Sequence, residues 1–140
     1  FRSKAGHLLG VYPEGTLTRD ENLWPMRAKT GVVRLALLTG VPVYPCASWG
    51  PQEVIPPYGK KIKLFPRTKV SVLMGDPVDF SRWKGRESDP SALEEASDYL
   101  MDEITKLLEV LRGEKAPAER FDPKKSNFPR TGNFKKQKRR

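Results

Sequence analysis

The sequence has few of the residues and segments that disulfide-bonded or membrane-spanning proteins require. Cys46 is the only cysteine, so no disulfide can form within the chain and an oxidising compartment is not indicated. The apolar runs are short: residues 32–38 are interrupted by Arg34, and a membrane-spanning helix needs roughly 20 apolar residues. Residues 1–4, Phe-Arg-Ser-Lys, do not resemble a signal peptide. These features favour part of a domain that faces the cytosol.

Basic charge is concentrated toward the C-terminal end. The 140 residues contain 26 Lys and Arg and 17 Asp and Glu, for a net charge of +9. Residues 113–140 hold 10 of the basic and 3 of the acidic residues, which is +7 of that charge. This segment has too few apolar side chains to form a core of its own. We therefore expect one domain over residues 1–112, whose apolar content suffices for a modest core, and a disordered basic tail over residues 113–140.

The order of apolar runs and turn residues predicts an α/β fold. Residues 8–12 are predicted to form a buried strand, residues 30–39 a helix, and residues 41–47 a second strand parallel to the first. A loop rich in proline follows, then a short edge strand at 62–65 and a firmer strand at 69–74. The expected architecture is the C-terminal part of a mixed, largely parallel sheet flanked by helices.

A long amphipathic helix is predicted to close the domain. Either Asp89 caps it, with Pro90 in the first helical position, or Ser91 and Glu94 form a capping box, and Arg112 lies in its last turn. Its apolar residues at helical spacing are Leu93, Ala96, Leu100, Ile104, Leu107, Leu108 and Leu111. We interpret this stripe as core packing, because the polar face is acidic whereas membrane-surface helices usually carry a basic one.

Residues 11–16, Val-Tyr-Pro-Glu-Gly-Thr, place reactive side chains at the end of the first predicted strand. In open α/β sheets, ligands bind at the carboxyl ends of the strands. Gly15 lets the backbone approach a ligand closely, Thr16 offers a hydroxyl, and Glu14 can accept hydrogen bonds from a polyol or orient a cation. This combination suits a small phosphorylated alcohol.

Residues 11–16 resemble the F-P-E-G-T-R block of the glycerophospholipid acyltransferases, the 1-acylglycerol-3-phosphate acyltransferase family, with Tyr12 in the Phe position. A second family block, V-P-[IV]-x-P, recurs at residues 41–45 as Val-Pro-Val-Tyr-Pro. Between them, residues 29–31, Lys-Thr-Gly, resemble the K-x-G element that opens the next helix. The resemblance covers the first half of the chain by motif and the rest by general layout.

The chain departs from the family pattern at two points. The resemblance implies a catalytic H-x-x-x-x-D motif upstream of the E-G-T block, but the only histidine, His7, lies just before that block and is followed five residues later by Tyr12. We therefore interpret the chain as a C-terminal fragment that contains no catalytic residue. At the second point, Leu17 stands where the family usually has arginine, and Arg19, Arg27 or Lys29 is expected to supply the missing charge.

The resemblance implies transfer of an acyl group from a coenzyme A or acyl carrier protein thioester to the free hydroxyl of a 1-acylglycerol-3-phosphate. It implies no metal and no cofactor besides this co-substrate, and a peripheral location at the cytoplasmic face of the membrane. The residues expected to bind the acceptor are Glu14, Gly15, Thr16, Arg19, Arg27 and Lys29. The residues expected to line the acyl-donor side are Val41, Pro42, Val43, Tyr44 and Pro45.

Alternative interpretations exist for these features. The E-G-T segment is also compatible with a purely structural turn, and Cys46 in an apolar strand is typical of a structural thiol and not of a nucleophile. The glycine spacing around Gly15 mimics half of a phosphate-binding loop but lacks its lysine. For the basic tail, a solvated segment without a partner, contact with an anionic membrane, and nucleic-acid binding are all open, the last making the chain a non-catalytic binding module.

Overall fold

The computed structural model describes residues 6–57, 59 and 61–125 of the chain. Its elements in chain order are helix α1 (Gly31–Thr39), strand β1 (Cys46–Trp49), helix α2 (Pro51–Val54), strand β2 (Ser71–Met74), a 3-10 helix (Ser81–Trp83) and helix α3 (Pro90–Arg112). In the part of the chain so described, no helix is long and apolar enough to cross a membrane.

Helix α3 begins and ends at residues that the sequence predicts. The Asp89 carboxylate accepts hydrogen bonds from the backbone N–H groups of Ser91 at 2.9 Å and Ala92 at 3.4 Å. Pro90 occupies the first helical position, where its missing N–H costs nothing. Gly113 ends the helix with a positive φ of 68°, which favours glycine. Asp89 is therefore the cap, and the alternative capping box is not used.

The two strands pair with each other in antiparallel fashion. Cys46 lies opposite Met74 at one end of the ladder. Each strand is shorter than the run predicted for it, 41–47 for β1 and 69–74 for β2, and residues 62–65 are not a strand. The parallel part of the predicted sheet stays a prediction, since the described residues contain this one pair.

Helix α3 contacts α1, both strands and the 3-10 helix, so the core forms along it. The larger cluster of buried residues comprises Val33, Ala36, Val43, Trp83, Ala92, Leu93, Ala96 and Leu100. A smaller cluster comprises Trp24, Ala47 and Leu108. Beside it the Arg112 guanidinium lies 3.9 Å from the ring centre of Trp24 and 4.3 Å from that of Trp49, a cation–π arrangement that fixes the end of α3 to β1.

The expected burial of residues 8–12 is not found. Leu8 is 83% exposed and Tyr12 is 88% exposed, and the structure has no strand over these residues. A short apolar run becomes a buried strand only where neighbouring strands and a second layer cover it. The described residues provide no such cover here.

Part of the predicted tail lies against the domain. The Arg120 guanidinium forms ion pairs with Asp98 and Asp102 of α3, and the carbonyl of Phe121 accepts a hydrogen bond of 2.9 Å from the Arg27 N–H. Polar contacts hold this stretch in place although it has too few apolar side chains to form a core. Residues 126–140 of the predicted tail lie outside the described residues.

Two substitutions in α3 test the packing of this helix. Leu93 is 1% exposed, whereas Val110 in the same helix is 71% exposed. Leu93→Ala is expected to lower the free energy of unfolding by about 2–5 kcal/mol, because it removes buried methyl groups and leaves a cavity. Val110→Ala should change it by less than about 0.5 kcal/mol. Urea unfolding of both variants gives the two values, and equal losses would contradict the described packing.

Candidate functional site

The E-G-T segment forms a tight turn that is tied to the chain twelve to sixteen residues downstream. The Gly15 N–H donates to the Tyr12 carbonyl at 3.0 Å, and Gly15 has a φ of 70°. The Pro13 carbonyl accepts a hydrogen bond of 2.9 Å from the Lys29 N–H. One Glu14 oxygen accepts a hydrogen bond of 2.5 Å from the N–H of Met26, a residue that is 1% exposed. The E-G-T turn and the K-x-G element are therefore neighbours in space.

Glu14 occupies an unusual electrostatic position for a turn carboxylate. Desolvation by burial raises its pKa from 4.5 to about 7, although the hydrogen bond from Met26 and the positive charge of Arg120 act in the opposite direction. Its carboxyl group consequently changes charge near neutral pH. Its contact with the Met26 backbone gives it a positioning role within the protein. A contact of Glu14 with substrate stays a prediction.

Lys29 is the predicted basic residue that lies directly at the turn. An atom in the Cβ position of Gly15 would lie 3.0 Å from the Lys29 ammonium nitrogen, so the lysine side chain runs across the glycine. Lys29 is exposed and forms no ion pair with any residue that the structure describes. Thr16, with its hydroxyl, is half-buried in the same turn. Lys29 thus offers an uncommitted positive charge beside a hydroxyl and a close backbone approach.

Arg27 is committed to carboxylates of the protein itself. Its guanidinium lies 3.2 Å from Asp122, 3.4 Å from Glu94 and 3.6 Å from Asp98. The hydrogen bond to Asp122, followed by the nearby acidic charges, raises the pKa of Arg27 above its usual value, and desolvation opposes this rise. The arginine therefore fixes residues 121–122 to α3, and little of its charge is left for a ligand.

Arg19, the third predicted basic residue, is buried. It is 3% exposed, and none of its three guanidinium nitrogens has a hydrogen-bond partner among the residues that the structure describes. A buried charge without a partner is strongly unfavourable. Arg19 thus requires an acceptor that the described residues do not supply, and it is not open to a ligand arriving at the surface of the turn.

Residues 41–45 alternate between the core and the surface. Val43 and Pro45 are buried, and their carbonyls accept hydrogen bonds of 2.8 Å from Val78 and 2.9 Å from Gly75. Pro42 and Tyr44, by contrast, are exposed. Val41 is half-buried. If this stretch lines an acyl donor, the most available side chains are those of the exposed Pro42 and Tyr44, because Val43 and Pro45 are buried.

A small basic cavity adjoins Lys29. It has a volume of about 290 Å³ and includes Lys29, Arg34, Lys124 and residue Thr30 at the start of α1. Thr30 makes no side-chain cap, and the first turn of α1 has no acidic residue, so this helix end leaves N–H groups that can bind an anion. Glu94 and Asp98 line its other side, and both form ion pairs with Arg27. Glu94 also lies 3.5 Å from the Lys124 ammonium.

A larger cavity of about 780 Å³ lies between α3 and residues 115–125. Much of its charged lining is already paired, for example Arg120 with Asp102 and Lys115 with Glu109. It contains neither Lys29 nor any residue of the E-G-T turn. We therefore assign the candidate site to the smaller cavity and the adjoining turn.

The remaining reactive side chains do not add to this site. His7 and Cys46 are both exposed, which differs from the interior position expected for Cys46. In the described ranges, no group of three or more His, Cys, Asp or Glu residues is placed to hold a metal ion. The role of the Met26 N–H could not be predicted from the sequence. A backbone N–H that donates to a glutamate twelve residues away leaves no signature in the sequence.

Titration of Glu14 tests the geometry of the turn. The pKa of Glu14 is 4.5 in the unfolded chain and about 7 in the folded protein, so folding at a pH between these values takes up a proton at Glu14. The stability that Glu14 contributes is therefore fully present below pH 4.5 and is lost as the pH rises to about 7. The loss is at most about 3 kcal/mol. Glu14→Gln keeps an oxygen for the Met26 N–H but cannot titrate, so this part of the pH dependence should be absent from the variant.

Urea unfolding of the unsubstituted protein and of Glu14→Gln across this pH range provides the comparison. Both proteins share every other titrating group, so their difference isolates Glu14. Parallel stability curves would show that the Glu14 carboxyl is not desolvated.

Two comparisons with known proteins agree with the motifs. The Acyltransferase family model matches residues 2–49, which include the E-G-T turn, the K-x-G element and residues 41–45. The 1-acyl-sn-glycerol-3-phosphate acyltransferase of Bacillus subtilis (strain 168) is 29% identical over 111 residues, which cover 77% of this chain and 50% of that protein. The chain thus spans about half the length of this curated relative. No solved structure matches the chain.

The two matches come from different comparisons and both agree with the motif blocks. They confirm the resemblance to the glycerophospholipid acyltransferases, with residues 2–49 matching the Acyltransferase family model.

Proposed function

We propose that the chain forms the acceptor-binding part of an enzyme that transfers an acyl group from a coenzyme A or acyl carrier protein thioester to the hydroxyl of a 1-acylglycerol-3-phosphate. The observation that carries this proposal is the position of the Lys29 ammonium across Gly15 of the E-G-T turn, at the edge of a basic cavity of about 290 Å³. A phosphate monoester needs positive charge and N–H donors without competing carboxylates. Lys29 and the uncapped start of α1 supply the charge and the donors. The two carboxylates that line the cavity, Glu94 and Asp98, are already in ion pairs with Arg27.

The proposal gives each motif residue a separate role. Lys29 neutralises the acceptor phosphate, and Gly15 lets the backbone approach the glycerol. Thr16 donates or accepts a hydrogen bond at the glycerol, since its hydroxyl can do either. Glu14 holds the turn against Met26, and Arg27 holds the neighbouring chain to α3. Among the three basic candidates, the contacts favour Lys29 because Arg27 is paired and Arg19 is buried.

Acyl transfer to a hydroxyl also needs a general base, since the hydroxyl proton must leave as the oxygen attacks the thioester carbonyl. The one histidine of the sequence, His7, is not followed by the aspartate that would orient it. On our proposal the base therefore lies outside these 140 residues. Residues 41–45 would face the donor through Pro42 and Tyr44.

Lys29 variants of the intact enzyme test the phosphate site. Lys29→Ala should lower kcat/KM for the acceptor by about ten- to a hundredfold, because a charge-assisted hydrogen bond to phosphate contributes roughly 1.5–3 kcal/mol. The value of kcat/KM for the acyl donor should change little. Lys29→Arg keeps the charge and should recover part of the activity. Steady-state kinetics with each substrate varied in turn separate the two effects.

Lys84 provides a matched control for this experiment. It is exposed at the end of the 3-10 helix and, among the described residues, has no ion pair. Lys84→Ala should leave both substrate dependences unchanged. If Lys29→Ala weakened donor and acceptor equally, or behaved like Lys84→Ala, the phosphate assignment would be wrong.

Turnover by the chain alone is the test of the missing base. Purified residues 1–140 should bind acceptor without converting it, because binding residues without a base cannot remove the hydroxyl proton. Thioester hydrolysis and lysophospholipid acylation can be followed by thiol release and by product analysis. Transfer of the acyl group by this chain alone would overturn the division of roles proposed here.

A further inference from the structure

The loop between α2 and β2 combines exposed apolar side chains with unpaired basic ones. We name residues 61–69, Lys-Ile-Lys-Leu-Phe-Pro-Arg-Thr-Lys, the basic loop. Ile62 is 61% exposed, Leu64 is 67% exposed and Phe65 is 86% exposed. Three large apolar side chains so close together on the surface indicate a contact surface and not packing of the domain.

The charge of this region has one sign. Residues 61–75 contain four basic residues and no acidic residue. Ion pairs among the described residues involve Arg27, Arg82, Arg86, Lys106, Arg112, Lys115, Arg120 and Lys124. None of these residues belongs to the basic loop, so its four cations are not neutralised by the described part of the protein.

The base of the loop is held to the domain. The Lys63 N–H donates a hydrogen bond of 2.8 Å to the carbonyl of Val54, the last residue of α2. At the other end, an atom in the Cβ position of Gly50 would lie within 3 Å of the Lys69 carbonyl, so the two backbones touch. The exposed side chains are therefore presented from a fixed base at one surface of the domain.

We propose that the basic loop docks on an anionic lipid membrane. Ile62, Leu64 and Phe65 would enter the boundary between headgroups and acyl chains, and the basic residues would contact lipid phosphates. Apolar side chains flanked by Lys and Arg are the combination that binds such interfaces. A second copy of the chain is disfavoured as the occupant because two patches of like charge repel. Nucleic acid is disfavoured because two of the three exposed apolar side chains, Ile62 and Leu64, are aliphatic and only Phe65 offers a ring for base stacking.

This proposal is independent of the acyl-transfer chemistry and of the basic tail. It makes the docking surface part of the folded domain. Binding to the membrane should therefore depend on residues 61–69 even when the full basic tail is present.

Co-sedimentation of the full chain with vesicles of equal parts phosphatidylglycerol and phosphatidylcholine tests the loop. Lys61→Gln, Lys63→Gln and Arg67→Gln in one chain should weaken binding at low salt by about fivefold for each basic residue removed. The effect should fade as salt rises from about 0.01 M to about 1 M, because the Debye length falls from about 30 Å to about 3 Å. Leu64→Ser with Phe65→Ser should weaken binding by about tenfold or more at every salt concentration.

Matched controls distinguish the loop from general charge and hydrophobicity. Lys84→Gln, Lys106→Gln and Lys115→Gln together remove the same charge from other exposed positions, and Val110→Ser removes an apolar side chain that is 71% exposed on α3. These controls should bind nearly as tightly as the unsubstituted chain. Equal losses in loop and control variants would overturn the proposal.

A gain-of-signal variant covers the case in which a serine variant folds poorly. Phe65→Trp places an indole at the most exposed apolar position of the loop. Its fluorescence should shift to shorter wavelength on anionic vesicles and remain unshifted on phosphatidylcholine alone or on single-stranded oligonucleotide. Absence of the shift on anionic vesicles, or an equal shift on oligonucleotide, would overturn membrane docking.

Discussion

The hydrogen bond from the Met26 N–H to the Glu14 carboxylate joins the two segments on which the candidate site depends. Neither segment belongs to a helix or a sheet ladder, so regular secondary structure does not fix one against the other. The bond of 2.5 Å at Glu14 and the bond of 2.9 Å between Lys29 and Pro13 supply that constraint. Since Met26 is 1% exposed, the turn is anchored to the buried part of the domain. Lys29 lies across Gly15 as a result.

Residues 27–29 contain one basic side chain that is paired within the protein, Arg27, and one that is available to a ligand, Lys29. Arg27 contacts Glu94, Asp98 and Asp122 and so joins three parts of the chain. Two residues later, Lys29 forms no ion pair among the described residues and faces a cavity that also contains Arg34. Lys124 lies in the same cavity but is paired with Glu94. This arrangement is compatible with a site for a phosphate, because the carboxylates that would compete for the nearby cations are largely occupied by Arg27. The arrangement of Arg27 and Lys29 supports an acceptor-binding role. This support does not depend on where the general base lies.

Local sequence signals predicted α1 and α3 well, whereas the short helix α2 lies in the predicted proline-rich loop. Asp89, Pro90 and Gly113 determine the ends of α3 through hydrogen bonds and backbone angles of a few neighbouring residues, so the sequence specifies them. The same holds for α1, which ends at Gly40 with a φ of 64°. The position of residues 113–125 was not predictable, because contacts such as Arg27 with Asp122 join residues 95 positions apart. Burial of residues 8–12 likewise depends on what lies beside them.

The candidate site was predictable in composition but not in detail. The motif blocks indicated the acyltransferase family and selected Glu14, Gly15, Thr16 and Lys29. The choice of Lys29 over the other basic residues needed tertiary contacts, and so did the role of Glu14 in holding the turn.

A structure of this protein with a non-reactive analogue of the proposed acceptor, 1-acylglycerol-3-phosphate, would test the central claim most directly. The predicted result is an analogue phosphate within hydrogen-bonding distance of the Lys29 ammonium, beside Gly15 and the start of α1, with Glu14 still bound to the Met26 N–H. A phosphate bound in the cavity beneath residues 115–125, or at any place from which Lys29 points away, would contradict it.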